Sequence, residues 1–462
     1  MDIKWLIESI KTTYNIIDFI TVVYCYLLKF DLNTIRKRYN KNFNESNVQK
    51  MRNEVYDAFS NLFFEEGNDK EYLSFEYFKD SFLIIININV ENVDLLCYET
   101  LITFDKNYTH EEVTFNSYLT KQGPLNTVLS DKLKFYNKPP KRYNANYLEE
   151  YKIRIGRQTS ISDTNSIINE LKNFEIIQTN QMFGYNTNIY KYNGSFLFTQ
   201  LTFGIVPVDV KQHIEMELLQ KEKLINIKYK EFRKNVLMRK LKETLEMMEK
   251  DGVDIAVFPE LFLFPEMIYD IKKYLICNRF ENLKLILTGS DWFNKKNTSH
   301  LISSKGSYLL SHTKKMPYDK YKNEEKYTEN IICDNEINLI DIDGLGRIGC
   351  LICKDVLSDN LNHLYTSSFQ TNIVFVSACT SQTVAMYNKA QSDATTKAVS
   401  TIMCNASSLV EYINDENNLL CYICVPKAEN KHLEVKSHVQ NKEEKDNDED
   451  LEYFKYFCIS IE

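Results

Sequence analysis

Three side chains that could perform chemistry together lie at or near the ends of apolar segments. A carboxylate can act as a general base, an ammonium group can stabilise an oxyanion, and a thiol can attack a carbonyl or nitrile carbon. Residues of these three types, in this order, predict nucleophilic chemistry at an electrophilic carbon. They are Glu260 in VDIAVFPEL (253–261), Lys314 in SYLLSHTKKMP (307–317) and Cys353 in GRIGCLICKD (346–355).

Each of the three has a competitor nearby. Cys350 precedes Cys353 by three residues, and in a strand this spacing puts the two thiols on opposite faces, which disfavours a metal or redox pair. Lys315 adjoins Lys314, and Glu266 repeats the Pro-Glu pair without a buried strand before it. Buried structural cysteines and solvated lysines are common, so the prediction rests on the three segments together.

The segment GLGRIG (344–349) satisfies the pattern GxGxxG of dinucleotide-binding loops. That fingerprint requires a strand before the glycines and a helix after them. Here the apolar runs on both sides read as strands, so we predict a hairpin that turns at Asp343-Gly344 and no phosphate site.

The three segments resemble, in order, the signatures of the nitrilase or carbon–nitrogen hydrolase superfamily, which uses a Glu-Lys-Cys triad. The segments between them also resemble that family's strands and first helix in the expected order, over roughly residues 195–462. These segments are 196–203, 229–260, 283–293, 337–353, 371–378 and 394–407.

The resemblance implies a fold and a set of roles. The fold is a four-layer α-β-β-α sandwich of the nitrilase type. Cys353 would be the nucleophile, Glu260 the base and Lys314 the oxyanion stabiliser, and the family's lysine segment favours Lys314 over Lys315.

Further positions follow from the same resemblance. Many family members carry a second glutamate after the lysine that orients the lysine or substrate, and we assign this role to Glu325 rather than Glu324. Lys354, through its backbone N–H, Thr380 and Asn405 are the candidate substrate-binding residues.

The sequence departs from the family after the cysteine. The usual pattern there is Cys-aromatic-Asp-x-Arg-aromatic-Pro-Glu, whereas residues 353–360 read CKDVLSDN and keep only Asp355. In relatives this segment shapes the pocket and part of the subunit interface, so the usual substrates and dimer geometry do not carry over to this chain.

Composition limits the partners. The chain has 462 residues, 44% of them hydrophobic, and a net charge of −8 without a long basic stripe, which argues against nucleic acid. Eleven scattered cysteines without a secretory leader indicate reduced thiols and a cytoplasmic location. The seven histidines do not cluster, and we expect no metal or cofactor. The apolar run 16–28 is too short to span a bilayer, so no membrane is expected.

The organisation predicted from sequence is two domains. Residues 1–190 form a helix-rich α+β domain of unknown role, with helices over 1–66 and strands at 82–90 and 93–104. Residues 191–462 form the nitrilase-like domain. Asn193-Gly194 is the strongest short hairpin signal in the chain, and the charged run 429–453 reads as a solvated insertion before the last strand.

The function expected is hydrolysis of a non-peptide carbon–nitrogen bond in a small molecule, an amide more than a nitrile. The family implies a homodimer or higher homo-oligomer. One alternative is a nitrilase-like effector, for example in bacterial antiviral defence, gated by a signal or by a protein partner of the N-terminal domain. The altered segment after Cys353 leaves a second alternative, a non-catalytic binding module.

Overall fold

A computed structural model describes most of the chain. The described residues are 2–13, 16–27, 30, 32–42, 46–63, 68–107, 113–116, 119–122, 133–137, 174–178, 182–195, 201–408, 419–426, 434–438 and 456–461.

The chain divides into two compact units that exchange segments along the sequence. The first contains Met1–Glu112, Gln122–Lys138 and Ile155–Gly184. The second contains Tyr185–Glu462 together with Val113–Lys121 and Pro139–Arg154. The boundary predicted near residue 190 did not include this exchange.

Six helices around an apolar core make up most of the described residues of the first unit. Phe19 lies at its centre, with its ring 4.9 Å from that of Phe78 and 4.8 Å from that of Phe82. A short antiparallel sheet of β3 (Leu133–Asn137) and β4 (Phe174–Gln178) belongs to the same unit. The helices are α1 (Ile3–Lys11), α2 (Ile16–Leu27), α3 (Leu32–Asn42), α4 (Ser46–Phe63), α5 (Asn68–Ile88) and α6 (Val93–Asn107).

The prediction of helices in the first 66 residues is confirmed, and the prediction of strands at 82–90 and 93–104 is wrong. Residues 82–88 continue α5, and 93–104 lie in α6. A run of isoleucines favours a strand locally. The buried positions Phe75, Phe78 and Phe82 nevertheless recur at helical spacing, while Ile84 is 60% exposed.

The second unit contains two large sheets. The nine-stranded sheet has the order β1-β2-β5-β15-β16-β17-β18-β19-β20, and the six-stranded sheet has the order β12-β11-β10-β9-β6-β21. The strands are β1 (Val113–Asn116), β2 (Leu119–Gln122), β5 (Asn186–Ser195), β6 (Leu201–Ile205), β9 (Ile255–Val257), β10 (Leu285–Phe293), β11 (Lys296–Ser303), β12 (Tyr308–Thr313), β15 (Glu336–Asp343), β16 (Gly346–Ile352), β17 (Ile373–Ala378), β18 (Ser400–Asn405), β19 (Cys421–Val425), β20 (Glu434–His438) and β21 (Phe457–Ile461).

One apolar core lies between the two large sheets. Phe203 and Ile255 enter it from the six-stranded sheet, and Ile340 and Phe375 enter it from the nine-stranded sheet. The rings of Phe203 and Phe375 lie 6.4 Å apart between centroids. These strands read as continuous apolar runs because both faces of each sheet are covered.

Helices cover the outer faces. Two helices, α7 (Lys234–Lys250) and α8 (Met267–Cys277), bury leucine and isoleucine side chains against the six-stranded sheet. The short α9 (Asp359–His363) follows the cysteine segment, and α10 (Thr383–Lys397) packs on β18 and β19. The α/β prediction is confirmed at the level of this mixed helix-and-sheet architecture.

A third sheet contributes to the site. Its order is β13-β14-β8-β7, formed by two hairpins. The strands are β7 (Ile214–Leu219), β8 (Leu224–Tyr229), β13 (Asp319–Lys322) and β14 (Glu325–Glu329).

Two turn predictions had opposite outcomes. The hairpin at Asp343-Gly344 is confirmed, because β15 and β16 pair antiparallel there. The hairpin at Asn193-Gly194 is wrong, because β5 runs through that pair and lies parallel to β15, while β6 joins the other sheet. The charged run 429–453 also holds one strand, β20, and its remaining residues lie outside the described part of the chain.

Within the described residues, no single helix combines the length and apolar character needed to cross a membrane. The segments Phe75–Ile88 and Val90–Phe104 pass that test only as a pair, which is bent by 95°.

Candidate active site

The three residues singled out from the sequence follow the ends of three strands. Glu260 comes shortly after β9, Lys314 directly after β12, and Cys353 directly after β16. These strands belong to both large sheets, so packing the two sheets face to face brings the three segments together. All three side chains are buried.

Lys314 is the centre of the cluster. Its ammonium Nζ lies 2.7 Å from Glu260 Oε1 and 2.7 Å from Glu329 Oε2. The Lys314 side chain is 1% exposed, and those of Glu260 and Glu329 are 3% and 5% exposed. A cation between two carboxylates in a water-poor interior interacts with both far more strongly than it would at the surface.

Cys353 lies beside this charged group on an unusual backbone. Its φ is +49°, in the left-handed region, and it opens a short 3₁₀ turn over Cys353–Leu357. The backbone N–H of Cys379, just after β17, faces its sulfur. A single residue in this conformation at a strand end turns its side chain away from the strand's own direction.

The charges of the cluster shift one another's proton affinities. Burial raises the pKa of Glu260, an effect that Lys314 opposes and Glu329 reinforces. Burial works against the ammonium form of Lys314, but the two carboxylates raise the pKa of Lys314 well above its usual range. Burial, followed by the Glu260 carboxylate, raises the pKa of Cys353 well above its usual value. Cys353 therefore rests as a neutral thiol beside Glu260 and the Lys314 ammonium.

Backbone contacts hold the Glu260 segment in place. The Glu260 N–H donates to the carbonyl of Ala378 at 3.3 Å, and the N–H of Leu261 donates to Ser290 Oγ at 2.9 Å. Leu261 also has a positive φ of 61°. Gly289 has φ +77°, and an added Cβ there would lie 2.2 Å from the carbonyl oxygen of Pro259. Only glycine fits at that position.

Asp355 links the lysine and cysteine segments. Its Oδ1 accepts hydrogen bonds from the backbone N–H groups of Lys315 at 3.0 Å and Met316 at 2.8 Å. Its Oδ2 lies 2.8 Å from Nε2 of buried His312. Burial lowers the pKa of His312, an effect that the hydrogen bond with Asp355 opposes. The one residue kept from the family's post-cysteine pattern thus fixes both segments relative to each other.

The assignment of the second glutamate to Glu325 is not supported by its position. Glu325 lies at the tip of the β13–β14 hairpin, is 50% exposed and pairs with Lys223 at 2.5 Å. Asn323 and Glu324, the two residues of the turn, both have positive φ, which is typical of a tight hairpin. The other end of β14 carries Glu329, which takes the place beside Lys314.

A second residue at the cluster was not foreseen. Asn297, at the start of β11, is fully buried, and its Nδ2 donates to Glu260 Oε1 at 2.8 Å and to Glu329 Oε1 at 3.2 Å. Its backbone carbonyl accepts from the N–H of Lys314 at 2.8 Å. The signal was the Lys305-Gly306 turn, because residues equally distant from a hairpin turn face each other across the ladder.

Of the candidate substrate-binding residues, Thr380 and Asn405 are hydrogen-bonded to each other, whereas Lys354 is bonded to Asp319. Lys354 is half-buried, and its Nζ lies 2.8 Å from Asp319 Oδ2. The backbone N–H of Thr380 donates to Asn405 Oδ1 at 2.9 Å, and Asn405 Nδ2 donates back to the Thr380 carbonyl at 2.9 Å. Asn405 is fully buried and fixes the loop after β17.

The arrangement is chemically complete for attack on an electrophilic carbon. It brings together a thiol, a carboxyl group whose affinity for protons is increased by burial, and a fixed ammonium group, and groups of these types can serve as nucleophile, base and oxyanion stabiliser. Water has little access, so these charges act at close to their full strength.

No protein-family profile matches the chain, and no curated protein matches it significantly. Solved structures that resemble it include the glutamine-dependent NAD+ synthetase from Acinetobacter baumannii, at 11% identity and a TM-score of 0.36. That match covers 57% of this chain and 46% of the synthetase, so the chain spans about half of that protein's length.

Two further neighbours are described as members of the nitrilase superfamily. Saccharomyces cerevisiae Nit3 is 14% identical over 52% of this chain and 91% of its own, with a TM-score of 0.33. The amidase from Nesterenkonia AN1 is 12% identical over 58% of this chain and 91% of its own, with a TM-score of 0.33. All these TM-scores lie below 0.5, so the case for a function rests on the geometry of the site.

Proposed function

We propose that this protein is a thiol-dependent hydrolase of a non-peptide carbon–nitrogen bond and a member of the nitrilase superfamily. The observation that carries the proposal is the buried Lys314 ammonium, which lies 2.7 Å from each of two carboxylates beside Cys353. Even when it is paired, a charged cluster this deep adds little net stability. A chemical role therefore explains it more simply than packing does.

The four-layer α-β-β-α sandwich is part of the same proposal. It is supported by the single core between the two large sheets and by the helices that pack on their outer faces. The site lies where strands of both sheets end, which is a common location for sites in α/β folds.

The first half of the reaction forms a thioester. Cys353 Sγ attacks the carbonyl carbon of an amide as its proton passes to the Glu260 carboxylate. The new C–S bond moves the carbonyl electron pair onto oxygen, and the Lys314 ammonium stabilises that negative charge. Breakage of the C–N bond then expels the amine, which takes its proton from Glu260.

The second half regenerates the thiol. Glu260, now a carboxylate again, removes a proton from a water molecule that attacks the thioester carbon. The C–S bond breaks, Cys353 recovers its proton, and a carboxylic acid leaves. The overall reaction converts an amide and water into an acid and an amine. We favour an amide over a nitrile because a nitrile would need an additional addition of water before ammonia could leave and the thioester could form.

The loop after β17 and the residue after the nucleophile would bind the substrate. Thr380 is held there by Asn405, and Lys354 is held by Asp319. In this proposal the backbone N–H of Lys354 supplements Lys314 at the oxyanion.

The burial of the site favours a second candidate function, the gated effector. Cys353 and Glu260 are each only 2% exposed, so substrate must reach them through an opening. In that case the purified protein would be inactive alone and would gain a Cys353-dependent activity when cell lysate is added.

The direct test compares wild type with Cys353→Ala in a soluble metabolite extract, following ammonia release and mass changes. Cys350→Ala is the matched control, because that thiol lies three residues earlier in the core. We expect a new acid and an amine or ammonia with wild type and Cys350→Ala only. Identical profiles for all three, with and without lysate, would exclude the hydrolase.

A further inference from the structure

The side-chain NH2 group of Asn297 donates to two carboxyl groups. Both of its side-chain hydrogen bonds go from Nδ2 to carboxylate oxygens, Oε1 of Glu260 at 2.8 Å and Oε1 of Glu329 at 3.2 Å. Its own Oδ1 has no hydrogen-bond partner among the described residues. A leucine of the same shape would fill this space without leaving a buried acceptor unsatisfied, so packing does not explain the asparagine.

The hydrogen bonds of the cluster form a closed arrangement. Lys314 Nζ bonds Oε1 of Glu260 and Oε2 of Glu329, while Asn297 approaches the same Glu260 oxygen and the other Glu329 oxygen. The backbone bond from the Lys314 N–H to the Asn297 carbonyl fixes the amide relative to the lysine. Asn297 lies on β11, the strand that pairs with the one before Lys314, and bridges the two carboxyl groups.

We propose that Asn297 is a positioning residue that keeps the Glu260 carboxylate ionised beside Lys314 and ties it to Glu329. A donor to a carboxylate favours the charged form and disfavours the protonated one. Since the inference concerns the base of the proposed reaction, it rests on the proposed function, and its consequence is a site that works at lower pH than burial alone would allow.

Other groups also act on Glu260. The titratable side chains that face it come from four segments: Lys314, Tyr318, Glu329, Cys353 and Cys379. Of these, only Lys314 favours the ionised form of Glu260. Asn297 adds a second stabilising contact without adding a charge, which a second lysine could not do.

The first experiment follows alkylation of Cys353 by iodoacetamide as a function of pH, detected by mass spectrometry of the Cys353 peptide. The variants are Asn297→Leu, which keeps the shape and loses the donor, and Asn297→Ser, whose hydroxyl can serve only one carboxylate. Asn338→Leu is the matched control, because among the described residues the amide of Asn338 bonds uncharged partners, Asn188 and the Ser311 carbonyl.

We expect the acidic limb of the alkylation profile to rise by about one pH unit in Asn297→Leu and by less in Asn297→Ser. The control should leave the limb where wild type has it. Alkylation of Cys353 in every variant with an unmoved limb would overturn the inference while leaving the proposed function intact. A wild-type Cys353 that is not alkylated would count against the proposed function instead.

Thermal unfolding tests the role of Asn297 even if Cys353 of the wild type is not alkylated. The amide stabilises carboxylates only when they are ionised, so Asn297→Leu should lower Tm more at pH 7 than at pH 4. The Asn338→Leu control should lower Tm equally at both. A loss of Tm in Asn297→Leu that does not change with pH would overturn the inference whatever the thiol does.

Discussion

Among individual side chains, Lys314 determines the energetics of the candidate site. Two carboxylates in the interior are unfavourable without a cation, because each has lost its hydration and repels the other. The ammonium group compensates both at 2.7 Å. The intact cluster therefore adds little net stability, whereas removing the Lys314 ammonium would cost much stability because it leaves two buried carboxyl groups without a cation.

Lys314→Met should destabilise the protein by about 3 kcal/mol or more at pH 7. Methionine fills most of the same volume, so the loss comes from charge rather than from a cavity. Urea unfolding of the two proteins measures the difference. Lys326→Met is the control, because Lys326 is 52% exposed and pairs with Asp319 at 3.2 Å, and it should cost about 1 kcal/mol or less.

The deficit of Lys314→Met should shrink as the pH falls. Burial raises the pKa of Glu260 in the folded state, and Lys314→Met removes the cation that opposes this rise. A carboxyl group whose pKa is raised in the folded state favours folding most at a pH below its unfolded-state pKa, about 4.3 for glutamate. This contribution to the free energy of unfolding is lost as the pH rises through the folded-state pKa. A deficit that stays constant between pH 7 and pH 4.5 would contradict this account.

The sequence predicted Glu260, Lys314 and Cys353 as one cluster but not the residues around them. The second glutamate was assigned to Glu325 rather than Glu324, and Glu329 was not considered. The hairpin turn at Asn323 and Glu324 puts Glu325 at the tip of the hairpin and Glu329 at the end of β14 that faces the lysine. The residue type of Asn297 does not by itself indicate a functional role. It becomes a candidate only through its register with Lys314, which depends on the length of a hairpin.

At the level of secondary-structure elements, the site depends on the loops that follow three strands. The Glu260 loop passes over Gly289, which lies at a register shift in β10 between Leu287 and Ser290. Its φ of +77° and the short approach to Pro259 leave no room for a side chain. The bulge therefore sets where the Glu260 carboxylate lies relative to Lys314.

Gly289→Ala should destabilise the protein by about 2 kcal/mol or more, since strain and a clash with backbone combine. It should also slow Cys353 alkylation by displacing Glu260. Gly252→Ala isolates the conformational contribution, because Gly252 has φ +71° with nothing within 4 Å of an added Cβ. That control should cost about 1 kcal/mol and leave the alkylation unchanged. Equal effects of the two substitutions would refute the role of the close approach.

Predictions from sequence at this level were right where one pattern dominates. The buried runs around 255, 285, 340, 350, 375 and 402 are strands, because a long apolar run covered on both faces has few other solutions. Residues 82–104 were misread because isoleucine-rich helix and strand look alike over nine residues. The Asn193-Gly194 signal failed because tertiary pairing of β5 with β15 outweighed a local turn preference.

Across the chain, each unit has a core of its own. Phe82 is fully buried among helices in the first, and Phe375 is fully buried between sheets in the second. Units with separate cores are expected to unfold as separate cooperative transitions.

Calorimetry of the full chain should therefore show two transitions. Phe82→Ala should lower one of them and Phe375→Ala the other, each by a destabilisation of about 3–5 kcal/mol. The two variants serve as controls for each other. A single transition that both substitutions lower equally would mean that the units unfold together.

The left-handed backbone at Cys353 costs stability at the position of the proposed nucleophile. Glycine adopts a φ of +49° without strain, whereas a residue with a Cβ holds it at a cost of about 1–3 kcal/mol. If variants of this chain competed for resistance to heat alone, glycine would displace cysteine at position 353. If they competed for turnover in the proposed reaction, the thiol would be retained despite the strain, so position 353 alone would report which of the two pressures a population had experienced.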